Sequence, residues 1–166
     1  MINKMKLALA GAVIATGMAS NAAYAATEQA QATVDVLTAV AIVVDSPLDF
    51  GVVAASAAGG TVDVAASGTA QPVGTGVVAI SGGNAGAFRV TQGTNGALIE
   101  LTASNPTPLT SGANQIVLSG LTLSANSLTF NSAAITPIYV GGTISLGANQ
   151  PAGTYNGTFD VTAEYQ

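Results

Sequence analysis

The sequence predicts an all-β protein, a β-sandwich of short antiparallel strands joined by glycine-rich loops. Three observations carry this prediction. Apolar and polar residues alternate with a period of two in many short stretches, which is the pattern of strands with one buried face. Glycine and proline, with 20 and 6 copies, separate those stretches. Beyond the first 25 residues no segment sustains a helical apolar stripe, so βαβ units are not expected.

The first 25 residues have the features of an export signal. Lys4 and Lys6 form a basic start, an apolar run follows from Leu7 to Met18, and Ala23-Tyr24-Ala25 is a small-x-small cleavage motif. The apolar run is too short to span a membrane. We therefore predict a signal peptide over residues 1–25 and cleavage between Ala25 and Ala26. The mature chain, without a membrane span, is expected in the periplasm, at the cell surface or outside the cell.

The composition argues against catalysis and against several classes of partner. The chain has no His and no Cys, so the commonest general base and the readiest nucleophile are both missing. We predict that it is not an enzyme and holds no cofactor or metal; only a carboxylate-based hydrolase stays open. Once Lys4 and Lys6 are removed, the side-chain charge is 1 − 8 = −7, which argues against nucleic acid because phosphates need cations.

The balance of apolar and charged residues is unusual for a soluble monomer. The chain is 49% hydrophobic and 7% charged. Such a chain suits a protein that packs among copies of itself, so self-association is expected. The alternative is an ordinary β domain with short side chains.

Two strand segments in series are predicted at the start of the mature chain. Residues 26–37 form an N-terminal strand whose apolar residues alternate with polar ones; the apolar set is Ala30, Ala32, Val34 and Val36. The apolar run Ala39–Val44 follows and is dense enough to be buried on both faces. The sandwich domain is expected over residues 38–166, and the first strand can leave it without dismantling it.

Short strands are predicted along the rest of the domain. Asp45-Ser46-Pro47 is a turn, and Leu48–Gly51 ends a strand with an aromatic anchor. Ile138–Val140 and Thr143–Leu146 are predicted to form a hairpin across Gly141-Gly142, a typical tight-turn pair. The other predicted strands lie at 61–65, 74–80, 87–91, 98–102, 116–118, 121–123 and 128–130.

The closing stretch Gly153–Gln166 has the clearest alternation in the chain. A strand of this kind must pair with an earlier strand or with another molecule. It is therefore either the last strand of a sheet or a docking edge. Its predicted dry face carries Tyr155, Gly157, Phe159, Val161, Ala163 and Tyr165.

Three local features are weighed for chemistry, and none is expected to carry it. Ser81–Gly86 is glycine-rich, but no helix follows and no Lys is near, so it is predicted to be a turn rather than a phosphate loop. Asp45 and Asp49 lack the alternating oxygen ligands of a calcium loop, so they are predicted to be solvated turn residues. Arg89 is predicted to face solvent or to pair with one acidic neighbour.

Four motifs carry a family resemblance: Leu48-Asp49-Phe50-Gly51, Gly59-Gly60-Thr61-Val62, Val140-Gly141-Gly142-Thr143 and the closing run from Ala148 to Phe159. With them the chain resembles the DUF4402 family of small secreted bacterial domains, over about residues 30–166. It also shares features with chaperone–usher pilins and spore-coat-U-like fimbrial subunits. Such pilins end in a strand with a penultimate aromatic residue and a glycine fourteenth from the end, positions that Tyr165 and Gly153 hold here.

The resemblance implies an immunoglobulin-like, pilin-like sandwich that lacks one strand and polymerises by strand addition into a fimbria-like assembly for cell adhesion. A periplasmic chaperone would fill the groove first, and a neighbour's N-terminal strand would replace it at an outer-membrane usher. The alternative is a self-complete secreted monomer that binds a surface glycan or protein through its loops. The implied donor residues are Ala30, Ala32, Val34 and Val36, and the implied chaperone or edge-strand interface is Gly153, Tyr155, Phe159, Val161, Ala163 and Tyr165.

Overall fold

The structure is a computed structural model that describes residues 27–166, apart from the side chains of residues 78–80. Within that range the chain forms strands and turns, and no helix is long and apolar enough to cross a membrane. The predicted signal peptide and its cleavage site at Ala25 and Ala26 lie outside the described residues. The strands are β1 (Ala41–Ser46), β2 (Val52–Ala54), β3 (Gly60–Val64), β4 (Val73–Thr75), β5 (Val78–Ser81), β6 (Gly86–Gln92), β7 (Leu98–Ser104), β8 (Leu109–Ser111), β9 (Asn114–Leu123), β10 (Ser127–Thr129), β11 (Ile138–Leu146) and β12 (Asp160–Tyr165).

Two antiparallel sheets dominate the unit Asp35–Gln166, which confirms the predicted β-sandwich class. The larger sheet has the order β1-β6-β11-β3-β4, and β9 pairs with the other side of β11 and also with β8. The smaller sheet has the order β10-β7-β12. A short ribbon of β2 and β5 completes the described strands.

The buried apolar side chains form two core clusters. The first core cluster lies largely around β3, β9 and β11, and includes Val62, Val64 and Ile144. The second core cluster joins β6 and β11 of the larger sheet to β7 of the smaller one. In it Ile99 and Leu101 are almost fully buried, which follows from the strict alternation of β7. Its members are Phe88, Val90, Ile99, Leu101, Phe130, Ile138 and Val140.

The predicted hairpin at Gly141-Gly142 is wrong, because β11 runs straight through both glycines. Ile138–Val140 pairs with β6, and Gly142–Leu146 pairs with β3. A Cβ atom at Gly141 would lie only 2.3 Å from the carbonyl oxygen of Val64. Glycine is needed here because the backbone at the end of β3 lies against the strand at this position, not because the chain turns.

Three other strand predictions also change. Ala39–Val44 was expected to be buried on both faces, yet Val43 and Val44 are 48% and 72% exposed, because β1 lies at the edge of its sheet. The predicted strand at 74–80 is split at Gly76, whose φ of 73° does not suit a strand. The segments predicted at 116–118 and 121–123 join into the single strand β9.

Candidate functional site

β12 is an edge strand, since β7 is the one described strand that pairs with it. The N–H of Gln166 donates to the carbonyl oxygen of Leu98 at 3.1 Å, so the even-numbered residues direct their backbone groups toward β7. The backbone groups of Val161, Ala163 and Tyr165 therefore point to the other side, where no described strand pairs with them. We call this side the β12 edge.

A row of half-buried apolar side chains accompanies the β12 edge. These side chains pack on the second core cluster but stay partly open to solvent. An added strand needs unpaired backbone groups and apolar sites for alternate side chains, and both are present here. The row consists of Phe159, Val161, Ala163 and Tyr165 from the end of the chain, with Val40, which precedes β1, and Ile42 of β1.

Gly153 and Tyr155 lie outside β12, so the predicted strand over Gly153–Gln166 is too long at its start. The preceding segment instead runs along β8: Thr110 and Asn156 exchange two backbone hydrogen bonds of 2.8 and 3.1 Å. A Cβ atom at Gly157 would lie 3.0 Å from the carbonyl oxygen of Thr107, so glycine permits this close approach. Sequence alternation alone does not distinguish such a clamped segment from a strand.

Tyr155 fastens the connection between β11 and β12. Its hydroxyl donates to the carbonyl oxygen of Pro151 at 2.8 Å and accepts from Nε2 of Gln150 at 3.0 Å. The same Nε2 donates to the carbonyl oxygen of Gln115 in β9 at 3.1 Å. Tyr155 also packs on the first core cluster, so its role in the isolated chain is structural.

Tyr165 joins three parts of the chain, and sequence reasoning missed this contact. Its hydroxyl donates to the carbonyl oxygen of Thr38 at 2.5 Å and accepts the N–H of Thr94 at 2.7 Å. The N–H of Thr38 in turn donates to Oγ1 of Thr94 at 2.9 Å. We call Thr38, Thr94 and Tyr165 the Tyr165 clasp.

The predicted N-terminal strand at 26–37 has no counterpart in this structure of a single chain. From residue 27 to residue 40 the chain has no strand, and residues 27–39 are exposed. Val34 and Val36 are 83% and 87% exposed. The donor role of Ala30, Ala32, Val34 and Val36 concerns an assembly and stays a prediction.

The acidic residues and the arginine have local roles. Asp45 lies in β1, so its predicted place in a turn is wrong. It receives two hydrogen bonds from Arg89, Nε to Oδ2 at 2.8 Å and Nη2 to Oδ1 at 2.7 Å. These bonds and the charge of Asp45 raise the pKa of Arg89 above its ordinary value. Asp49 accepts the N–H of Gly51 at 2.8 Å, which is a turn contact. Among the described residues no group of acidic side chains forms a metal-binding cluster.

An open cleft of about 400 Å³ lies between β7 and the end of β9. On this side β10 pairs only with residues 98–100 of β7, and β8 pairs only with residues 114–116 of β9. The cleft therefore lies beyond the paired parts of β10 and β8, where the N–H of Leu101 donates to the carbonyl oxygen of Asn126 at 2.8 Å. Its lining residues are Glu100, Leu101, Thr102, Ala103, Leu121, Thr122, Leu123 and Asn126.

Residues 40–165 match the model of a family described as a domain of unknown function (DUF4402). The chain belongs to the DUF4402 family. The matched range contains every described strand, so the DUF4402 domain is the sandwich itself, while Ala30–Val36 precede it. No curated protein and no solved structure matched the chain.

Proposed function

We propose that this DUF4402 protein is a non-catalytic structural subunit that polymerises by β-strand addition. The observation that carries the proposal is the β12 edge, where Val161, Ala163 and Tyr165 combine unpaired backbone groups with half-buried side chains. An extended segment placed there extends the sheet and covers the second core cluster in one step. The N-terminal segment of another copy is the proposed occupant, with Ala30, Ala32, Val34 and Val36 on its inner face.

The strand order supports an incomplete immunoglobulin-like sandwich. In the constant-type fold, strands A, B, E and D form one sheet and strands C, F and G form the other. Here β1-β6-β11-β9 follows the first order, and β7-β12 follows C-F. The position of strand G, beside the last strand, corresponds to the β12 edge. An added strand would occupy the position that this sandwich leaves open.

Chain direction favours donation to another copy over insertion into the same chain. The Tyr165 clasp fixes Thr38 at the C-terminal end of β12, and β1 starts at that end because Ala41 pairs with Gln92. An N-terminal segment on the β12 edge of its own chain would run parallel to β12 and then reverse direction just before β1. Parallel pairing is slightly weaker per residue. Residues 37–44 contain no Gly, Pro, Asn or Asp, so turn chemistry for such a reversal is missing.

Small side chains set the strength of the proposed contact. Burying a valine contributes about 1.5 kcal/mol, and an alanine contributes less because it removes less apolar area from water. Each backbone hydrogen bond to the edge adds about 1 kcal/mol. We therefore expect contacts between subunits to depend mainly on Val34, Val36 and the backbone ladder.

The proposal includes export of the chain and assembly at the cell surface. We infer that the signal peptide directs the chain out of the cytoplasm and that a periplasmic chaperone protects the β12 edge until assembly. An outer-membrane usher then orders the subunits into a fimbria-like structure at the cell surface. An uncovered strand edge is an aggregation hazard, which is the physical reason for a chaperone.

The proposal is tested by comparing the chain from Ala26 with a chain from Leu37, using size-exclusion chromatography with light scattering and thermal melting. We expect the longer chain to form oligomers that resist SDS. The shorter chain should stay monomeric, melt at a similar temperature and gain stability when a peptide of residues 26–36 is added. If both chains are equally stable monomers and the peptide does not bind the shorter one, the proposal is wrong.

The cleft between β7 and β9 favours a second candidate function. A cleft of about 400 Å³ is in the size range of small-molecule sites, and its lining combines leucines with Thr102, Thr122, Asn126 and Glu100. Such a surface suits the hydroxyl groups and apolar faces of a sugar. The second candidate is a secreted monomer that binds a surface glycan. If it is correct, the chain from Ala26 and the chain from Leu37 should both remain monomeric.

A further inference from the structure

The Tyr165 clasp ties the proposed accepting edge to the base of the proposed donor segment. Thr38 uses both of its backbone polar groups in the clasp: its carbonyl oxygen accepts from Tyr165, and its N–H donates to Thr94. Tyr165 is at the same time the last residue of β12 and one of the side chains of the β12 edge. The side chain of Tyr165 therefore belongs to the proposed accepting edge and also contacts the base of the proposed donor segment at Thr38.

We propose that the Tyr165 hydroxyl is a positioning group that holds the base of the N-terminal segment away from its own β12 edge and so favours insertion into a second copy. This inference rests on the proposed strand-addition function. With both backbone groups of Thr38 engaged, that residue is unable to join a ladder with β12. Insertion into the same chain needs the reversal to begin close to Thr38, and this requires the clasp to open.

A single substitution at Tyr165 can remove the hydroxyl of the clasp and leave the β12 edge intact. Tyr165→Phe deletes the hydroxyl and keeps the aromatic ring that packs on the second core cluster. Tyr155→Phe is a matched control, because it also deletes a tyrosine hydroxyl that bonds a backbone carbonyl, but on the connection beside β9. Thr38→Ala is a second control, because Thr38 enters the clasp through its backbone alone.

The experiment uses the chain from Ala26 and measures the ratio of monomer to polymer by light scattering. It also measures amide hydrogen exchange over residues 27–37 in the monomer fraction. Tyr165→Phe should raise the ratio of monomer to polymer about fivefold, the shift expected from losing the one hydrogen bond that the hydroxyl donates to Thr38. Its monomers should gain protected amides in that segment through self-insertion, while both controls behave like the unmodified chain.

A separate measurement of peptide uptake distinguishes a failure of the clasp inference from a failure of the strand-addition function. A chain from Leu37 carrying Tyr165→Phe should take up the peptide of residues 26–36 as well as the same chain with Tyr165, because the edge is intact. If it takes up the peptide and the longer chain with Tyr165→Phe polymerises normally, the clasp inference is wrong and the strand-addition function stands. If the variant loses peptide uptake, the hydroxyl acts in the accepting edge itself, and the positioning role is overturned. If the unmodified chains neither polymerise nor take up the peptide, both proposals fail.

Discussion

At the scale of single residues, Gly141 offers the sharpest stability prediction. In Gly141→Ala the new Cβ would lie 2.3 Å from the carbonyl oxygen of Val64 and 2.6 Å from the amide nitrogen of Ala66. Backbone atoms are unable to move aside as a side chain does, so we expect a loss of about 3 kcal/mol in the free energy of unfolding, the upper range for overpacking. Urea unfolding measures it.

Gly142→Ala is the control for this prediction. Its Cβ would meet first the Cδ2 atom of Leu121 at 3.2 Å, the far end of a side chain that can shift. We expect a smaller loss, about 1 kcal/mol or less. Equal losses at the two positions would contradict the explanation that neighbouring backbone atoms require glycine at position 141.

The same residues explain one limit of sequence reasoning. A pair of glycines between two apolar stretches has the pattern of a tight turn, and the sequence contains no sign that the backbone of Val64–Ala66, at the end of β3, lies against Gly141. Likewise the clasp joins positions 38, 94 and 165, and hydroxyl contacts over such separations leave no local pattern. Phe88, Val90, Ile99 and Leu101, by contrast, were predictable as buried because their alternation is local.

At the scale of elements, the direction of backbone groups in β12 gives a test of the edge. Ala163 directs its N–H away from β7, so Ala163→Pro removes a donor from the β12 edge without removing a bond to β7. Proline is tolerated in edge strands at such positions. We expect the chain from Leu37 with this change to stay folded by circular dichroism and to lose uptake of the peptide of residues 26–36.

Thr162→Pro is the companion variant, because Thr162 directs its N–H toward Thr102 in β7. Proline there removes a bond of the existing sheet and leaves an acceptor in β7 without its partner, so a loss of about 1 to 3 kcal/mol in the free energy of unfolding is expected. Peptide uptake that survives Ala163→Pro would show that the added strand lies elsewhere, with the β7–β9 cleft as the next place to search.

Element boundaries explain why β12 was predicted too long. Alternation from Tyr155 to Tyr165 is continuous in the sequence, yet the segment before Asp160 bonds to Thr107 and Thr110 and leaves the sheet. Period-two alternation reports which side chains face the core, and it does so correctly for Tyr155 and Phe159. It carries no information about which strand supplies the hydrogen bonds.

At the scale of the whole molecule, the family domain and the proposed donor segment are separate parts of the chain. Residues 40–165 form the DUF4402 sandwich, and the exposed valines Val34 and Val36 precede it. The sandwich was predictable because its strands are many and short. The proposed destination of the N-terminal segment was not, because the alternation within the segment carries no information about the surface that would bury its small apolar face.

This separation predicts that assembly and stability respond to different residues. Val36→Asp places a charge on the proposed inner face of the donor segment, where burial would cost several kcal/mol. Val36 is 87% exposed in the single chain, so the melting temperature of the monomer should not change. We expect the chain from Ala26 with Val36→Asp to remain monomeric in light scattering. A peptide of residues 26–36 with the same change should not bind the chain from Leu37.

Thr33→Asp is the matched control, because it adds the same charge on the opposite face of the segment, where Asp35 already lies. The chain with Thr33→Asp should polymerise normally. If both substitutions block polymerisation equally, net charge rather than a facing donor strand controls assembly; if neither does, the donor segment is not Ala30–Val36.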